Sequence, residues 1–132
     1  MEDEENQKKI FELGMMENRL KQLDQQLSLV DNQILEDKNL EKNIEEMGKN
    51  GKSDAVFPFG GGIFLHGSLN KIESVLVNVG SGVIIEKNLE SVLKFLQKRI
   101  RRMNEAKEEL GNQVKEIVSV ISGIEHSVQR NG

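Results

Sequence analysis

An unbroken alternation of apolar residues three and four apart constrains this chain more than any other feature. Leu13, Met16, Leu20, Leu23, Leu27, Val30 and Ile34 follow one another at these spacings, which puts them on the a and d positions of successive heptads, the pattern of a coiled coil. Beyond Ile34 the seam positions hold Asp37 and Glu41 before Ile44 restores the pattern, and Leu40 and Met47 form a neighbouring stripe. Gly48, Asn50 and Gly51 are expected to end this first helix, because they tolerate left-handed backbone.

A second seam runs through Leu89, Leu93, Leu96, Ile100, Met103, Lys107, Leu110, Val114, Ile117, Ile121, Ile124 and Val128, with Lys107 its one interruption. Asn88 is placed to cap this helix, and Glu90 suits its first turn. Each helical block would be about 60 Å long at 1.5 Å per residue, so the two must support each other. A connection that leaves and re-enters the same neighbourhood makes them antiparallel. The expected register pairs Ile44 with Leu93, Ile34 with Met103, Leu27 with Leu110, Leu20 with Ile117 and Leu13 with Ile124. Gly14, Gly111 and Gly123 each weaken the helices by about 1 kcal/mol relative to alanine, and two of them lie towards the free end.

Between the helices, residues 54–87 change to short β-branched runs. Four strands are predicted, at 55–59, 63–69, 74–79 and 82–87, forming two hairpins. Gly60-Gly61-Gly62 and Gly80-Ser81-Gly82 supply the positive-φ positions of tight connections, and Pro58 suits an edge strand or bulge. Val75, Val77 and Val79 share one face with Leu76 on the other, while Val83 and Ile85 oppose Ile84, so both faces are partly apolar. Isolated hairpins are marginal in water and expose sheet edges. The cover expected for Val56, Phe57, Phe59, Ile63, Leu65, Val75, Val77, Val79, Val83 and Ile85 is other subunits, which makes these ten the oligomerisation hub. The predicted class is therefore α+β: a long antiparallel two-helix coiled coil with two central β-hairpins. It is read as a single domain, 1–132, divided into helix 1–49, hairpins 54–87 and helix 88–132.

Chemistry finds little support. Without cysteine there is no disulfide, thiolate metal site or cysteine nucleophile, and cytoplasmic residence is the simplest reading. His66 and His126 fall at opposite ends of the expected structure, so no metal site is expected. Gly51-Lys52-Ser53 resembles the end of a phosphate loop, but Glu46 stands where that motif needs glycine. Gly80-Ser81-Gly82 is followed by Ile85 where a dinucleotide fingerprint needs a third glycine. The carboxylates are scattered on solvent faces, so neither an enzyme nor a cofactor is expected. With 18 Lys and Arg against 22 Asp and Glu, the net charge of −4 argues against nucleic acid. The one basic cluster, Lys98, Arg99, Arg101 and Arg102, is read as a solvated face, and no Tyr or Trp is present for base stacking. No apolar run approaches a membrane span, and the acidic opening Met1-Glu2-Asp3-Glu4-Glu5 has no signal-peptide pattern.

The apolar residues that leave the seam say more. Leu40, Met47, Val92 and Phe95 lie near the hairpins and are expected to pack against them. Ile10, Phe11, Met15, Val118 and Val120 lie near the chain ends, where no sheet is predicted to cover them. Together with the seam residues Leu13, Met16, Ile121, Ile124 and Val128 they form a candidate binding surface, helped by the adaptable thioethers of Met15 and Met16. An equal alternative is that they pack within fraying ends or against a neighbouring tip.

The order helix, hairpin, hairpin, helix, with the run Val77-Asn78-Val79-Gly80-Ser81-Gly82-Val83-Ile84-Ile85-Glu86-Lys87 leading into the second helix, resembles the alpha-class subunit of prefoldin. The likeness covers the whole architecture and is most specific from Val75 to Arg99, including Phe95-Leu96. Val56-Phe57-Pro58-Phe59 is similar to the family's first hairpin, although Phe57 and Phe59 replace aliphatic residues, and His66-Gly67 also departs from the pattern. The resemblance implies a hexamer of two alpha and four beta subunits, whose hairpins form a double β-barrel hub. It implies ATP-independent holding of unfolded client polypeptides between coiled-coil tips, with client contacts near both chain ends, and delivery to a group II chaperonin. The competing expectation is a structural tether or a filament-forming prefoldin-like coiled coil.

Overall fold

The computed structural model describes residues 2–49 and 53–131. In chain order it contains α1 (Glu2–Lys49), β1 (Ser53–Gly60), β2 (Ile63–Leu69), β3 (Ser74–Gly80), β4 (Val83–Asn88) and α2 (Leu89–Asn131). Two long helices thus enclose two antiparallel hairpins, as the periodicity predicts. The residues form two units, one of 1–34 with 102–132 and one of 35–101.

In the first unit, α1 and α2 run antiparallel with Leu23 fully buried between them and Ile34 nearly so. Polar contacts also cross the seam. The Lys9 ammonium donates to Ser127 Oγ at 2.7 Å, and the Lys107 ammonium meets Asp31 Oδ1 at 2.7 Å. The sequence register would place Lys9 opposite Val128 and Asp31 opposite Ala106, so each observed partner is one position from the expected one. Lys107 occupies a seam position yet stays exposed, because its long stem carries the ammonium out to Asp31. The break in the apolar pattern therefore buries no charge.

In the second unit, Ile44, Val92 and Leu96 form a buried cluster, with Val75, Val77, Leu89 and Leu93 packed around it. The cluster joins both helices to one face of β3. Helix α2 begins where Asn88 Oδ1 accepts the Ser91 backbone N–H at 2.8 Å, the capping contact that the sequence predicts. The next N–H, that of Leu89, donates to the Glu73 carbonyl at 3.2 Å and ties the helix start to the approach to β3. Gly48 does not terminate α1, which continues to Lys49; Asn50 and Gly51 lie outside the described residues. A Cβ at Gly48 would come within 3.2 Å of Leu89 Cδ1, so the residue serves close approach between the helices.

The two hairpins share one design. In the first, pairing runs from Ser53 opposite Leu69 to Pro58 opposite Phe64, then slips by one so that Gly60 faces Ile63. In the second it runs from Ser74 opposite Asn88 to Asn78 opposite Ile84, with the same slip placing Gly80 opposite Val83. Each bulge leads into three consecutive positive φ values, 129°, 58° and 80° at Gly60-Gly61-Gly62 and 119°, 52° and 76° at Gly80-Ser81-Gly82. The last two residues of each run have the φ signs of a type I′ turn, which matches strand twist. Five predicted strand limits are corrected here: β1, β3 and β4 each end one residue later than expected, at Gly60, Gly80 and Asn88, and two starts also move. Gly82 belongs to the turn, so β4 starts at Val83, and β1 begins at Ser53 because that residue pairs with Leu69.

Candidate binding surfaces

The heptad geometry divides the predicted tip residues into two groups. Ile10, Phe11, Met15, Val118 and Val120 are exposed, Phe11 at 68 %. Leu13, Met16, Ile121, Ile124 and Val128 are half-buried, because a and d positions turn towards the opposite helix. The exposed surface is thus smaller than the ten residues that the sequence suggests. On α1, Phe11 lies in a shallow concavity with Glu4, Gln7, Lys8 and Glu12, residues three and four apart that share one helix face. Leu29 and Leu35 are also exposed. Sequence reasoning passed over them, although their phase off the seam was a usable signal.

The predicted hub residues also divide. Val75 and Val77 are half-buried against the helical cluster. Val56, Phe57, Phe59, Ile63, Leu65, Val79, Val83 and Ile85 are exposed, as are Phe64, Leu76 and Ile84, which the sequence reading did not assign to the hub. The first hairpin is open on both faces, whereas the second covers one face with its own helices. Within the first hairpin the Phe57 ring lies over Gly67, where a Cβ would come within 2.8 Å of Cε2. The aromatic residue in β1 and the glycine in β2 fit each other: the ring occupies the volume that a side chain at 67 would need.

Around the helical cluster the sequence reading needs two corrections. Val92 is buried as expected, but Leu40, Met47 and Phe95 remain exposed and line an open groove with Leu76 and Asn78. These three side chains flank the hairpin and are only partly covered, keeping 43 %, 37 % and 38 % of their surface exposed. Arg99 is not part of a solvated basic face. Its Nε donates to Asp37 Oδ2 at 2.6 Å and its Nη2 to Asp37 Oδ1 at 2.7 Å, and Asp37 is only 1 % exposed. The hydrogen bond to Asp37 raises the Arg99 pKa above its ordinary value, against the lowering effect of partial burial, and the carboxylate charge adds to the rise. The guanidinium lies 5.3 Å from the Phe95 ring centroid, and the Lys87 ammonium lies 5.0 Å from it, both within cation–π range. Lys98, Arg101 and Arg102 are exposed.

Among the described residues no group of three or more His, Cys, Asp or Glu is placed to hold a metal ion. No helix among the described residues is long and apolar enough to cross a membrane. The exposed apolar side chains gather near the chain ends, on the hairpins and along the groove.

Comparison with known proteins gives a consistent result. The prefoldin family model, described as prefoldin subunit, matches residues 16–132. Prefoldin subunit alpha of Methanococcus maripaludis is 30 % identical over 113 residues, covering 85 % of this chain and 76 % of its own length. Prefoldin subunit alpha of Archaeoglobus fulgidus is 24 % identical over 127 residues, covering 96 % of this chain and 81 % of its own. Among solved structures, a chain from the cryo-EM structure of filamentous PFD from Methanocaldococcus jannaschii superposes with a TM-score of 0.72 at 16 % identity, covering 92 % of this chain and 98 % of that one.

Proposed function

The chain belongs to the prefoldin family, with the two-hairpin architecture of its alpha class, and we propose that it is an ATP-independent holdase subunit which captures unfolded polypeptides on the exposed apolar residues of its paired helix ends. The carrying observation is that Ile10, Phe11, Met15, Val118 and Val120 stay exposed while the seam residues beside them are half-buried. A single patch of this size binds weakly. Several patches held in one assembly act together on one client through effective concentration.

The hairpins supply the means of assembly in this reading. Both faces of the first and the outer face of the second carry apolar residues that need cover, which supports assembly through the hairpins. The resemblance to the prefoldin alpha class implies that this assembly is a hexamer of two alpha with four beta subunits joined through a β-barrel hub. Handing clients to a group II chaperonin, in the cytoplasm, completes the proposal. A second reading is favoured by the filamentous relative: the same hairpins could join copies of this chain end to end as a tether.

The test compares the assembled protein with a variant carrying serine at Ile10, Phe11, Met15, Val118 and Val120. Light scattering is followed while a chemically denatured client is diluted into buffer, and assembly is checked by sizing. Loss of suppression with assembly intact supports the holdase. Equal suppression by both proteins moves client binding to the hairpins or the groove, and a polydisperse ladder without suppression favours the tether.

A further inference from the structure

The carboxylates of this chain are unevenly placed. The unit of residues 1–34 and 102–132 carries thirteen Asp and Glu against eight Lys and Arg, while the unit of residues 35–101 carries nine against ten. The whole acidic excess therefore sits in the unit that bears the exposed tip residues. It is sharpest beside Ile10, Phe11 and Met15, where Asp3, Glu4, Glu5, Glu12 and Glu17 are all exposed. Of the two cations in that stretch, Lys9 is half-buried across the seam at Ser127, which leaves Lys8 as the exposed one. Glu4, Glu12 and Lys8 line the same concavity as the Phe11 ring, so an apolar group seated on that ring is flanked by two carboxylates against one ammonium.

Resting on the holdase reading, we infer that the tip selects unfolded segments in which apolar residues are interspersed with lysine and arginine, and disfavours segments that are apolar and acidic. Charge complementarity decides the occupant. A basic segment loses no favourable contact when its apolar side chains reach Phe11, whereas an acidic one meets like charge on both sides of the ring. The same argument excludes a second copy of this tip, since two such surfaces would bring carboxylate against carboxylate. Selection of this kind acts on encounter rate and specificity more than on maximal affinity, and it is screened by salt.

The experiment uses two unstructured peptides with identical apolar residues, one carrying lysine and the other glutamate at every charged position. Binding to the assembled protein is read by fluorescence anisotropy at low salt and at about 0.5 M salt. The expected result is binding of the lysine peptide about tenfold tighter at low salt, with the ratio falling towards one at high salt. A variant carrying Glu4→Gln, Glu5→Gln, Glu12→Gln and Glu17→Gln should lose most of the preference, and Glu36→Gln with Glu45→Gln in the other unit should keep it. Equal binding of both peptides, or a preference that survives the four-residue variant, overturns the inference and leaves the holdase reading standing. Binding of neither peptide sinks both.

Discussion

Arg99 grips Asp37 with two hydrogen bonds, at 2.6 and 2.7 Å, at a seam position where the heptad pattern calls for an apolar side chain. A carboxylate this buried is tolerated because a planar, permanently charged donor meets both of its oxygens. Removing the donor alone takes two charge-assisted hydrogen bonds and the opposing charge away from a carboxylate that is 1 % exposed. Arg99→Ala should cost about 3 kcal/mol, seen as a lowered thermal midpoint of the assembled protein. Asp37→Leu together with Arg99→Leu should recover most of that loss, because an apolar pair of suitable volume is often as stable as the ion pair it replaces.

The raised Arg99 pKa gives the pair a defined pH behaviour. A group whose pKa is higher in the folded than in the unfolded state contributes stability that is complete below the unfolded value and is lost only as pH rises through the folded one. Coupling between Asp37 and Arg99, from a double-mutant cycle, should therefore not fall as pH is raised from neutrality to about 10. With Arg99→Lys it should hold over the same range and fall only above about pH 10.4, where a lysine begins to lose its proton and an arginine does not.

The Asp31–Lys107 bridge, with both side chains 50 % exposed, should behave differently. Solvent and salt screen such a pair. Asp31→Asn should change stability by less than about 1 kcal/mol, and a shift as large as that of Arg99→Ala would mean that the bridge is shielded in the assembly.

Gly67→Ala should disrupt the first hairpin, because the new methyl group would come within 2.8 Å of the Phe57 ring. The diagnostic is suppression. Adding Phe57→Val should restore the hairpin, read from strand circular dichroism and from assembly size. A double variant no better than Gly67→Ala would put the obstruction elsewhere.

At the start of α2, Asn88→Ala should cost about 1 kcal/mol through loss of the cap on Ser91, and Asn88→Asp should cost little. Faster amide exchange at Ser91, with unchanged exchange at the far end of the helix, would locate the effect.

The architecture was readable in advance because two periodicities carry it. The heptads from Leu13 to Ile34 and from Leu89 to Val128 announce the helices, and the glycines at 60–62 and 80–82 announce the turns. Arg99 was misread because its heptad position alone looks solvent-facing. The clue was the aspartate opposite it, an acidic residue in a seam that demands a partner. The exposure of Leu40, Met47 and Phe95 was hidden for another reason. Sequence phase shows that a residue leaves one seam, but it does not show whether a second surface reaches far enough to cover it. The tip surface was legible as a composition and overestimated in area, since seam residues such as Ile121 and Ile124 were counted on both sides.

The matched hairpins also make the chain modular. Phe59-Gly60-Gly61-Gly62-Ile63 and Val79-Gly80-Ser81-Gly82-Val83 occupy corresponding positions around the two bulges and turns. Excising residues 59–78 would join Pro58 to Val79 without shifting strand phase, and would set Phe57 opposite Ile85 and Ala55 opposite Lys87. One plan thus accommodates a subunit with two ribbons or with one. The number of ribbons can change by loss or gain of a single unit while the flanking helices keep their sequence, so a two-ribbon and a one-ribbon chain can descend from the same ancestor in one step.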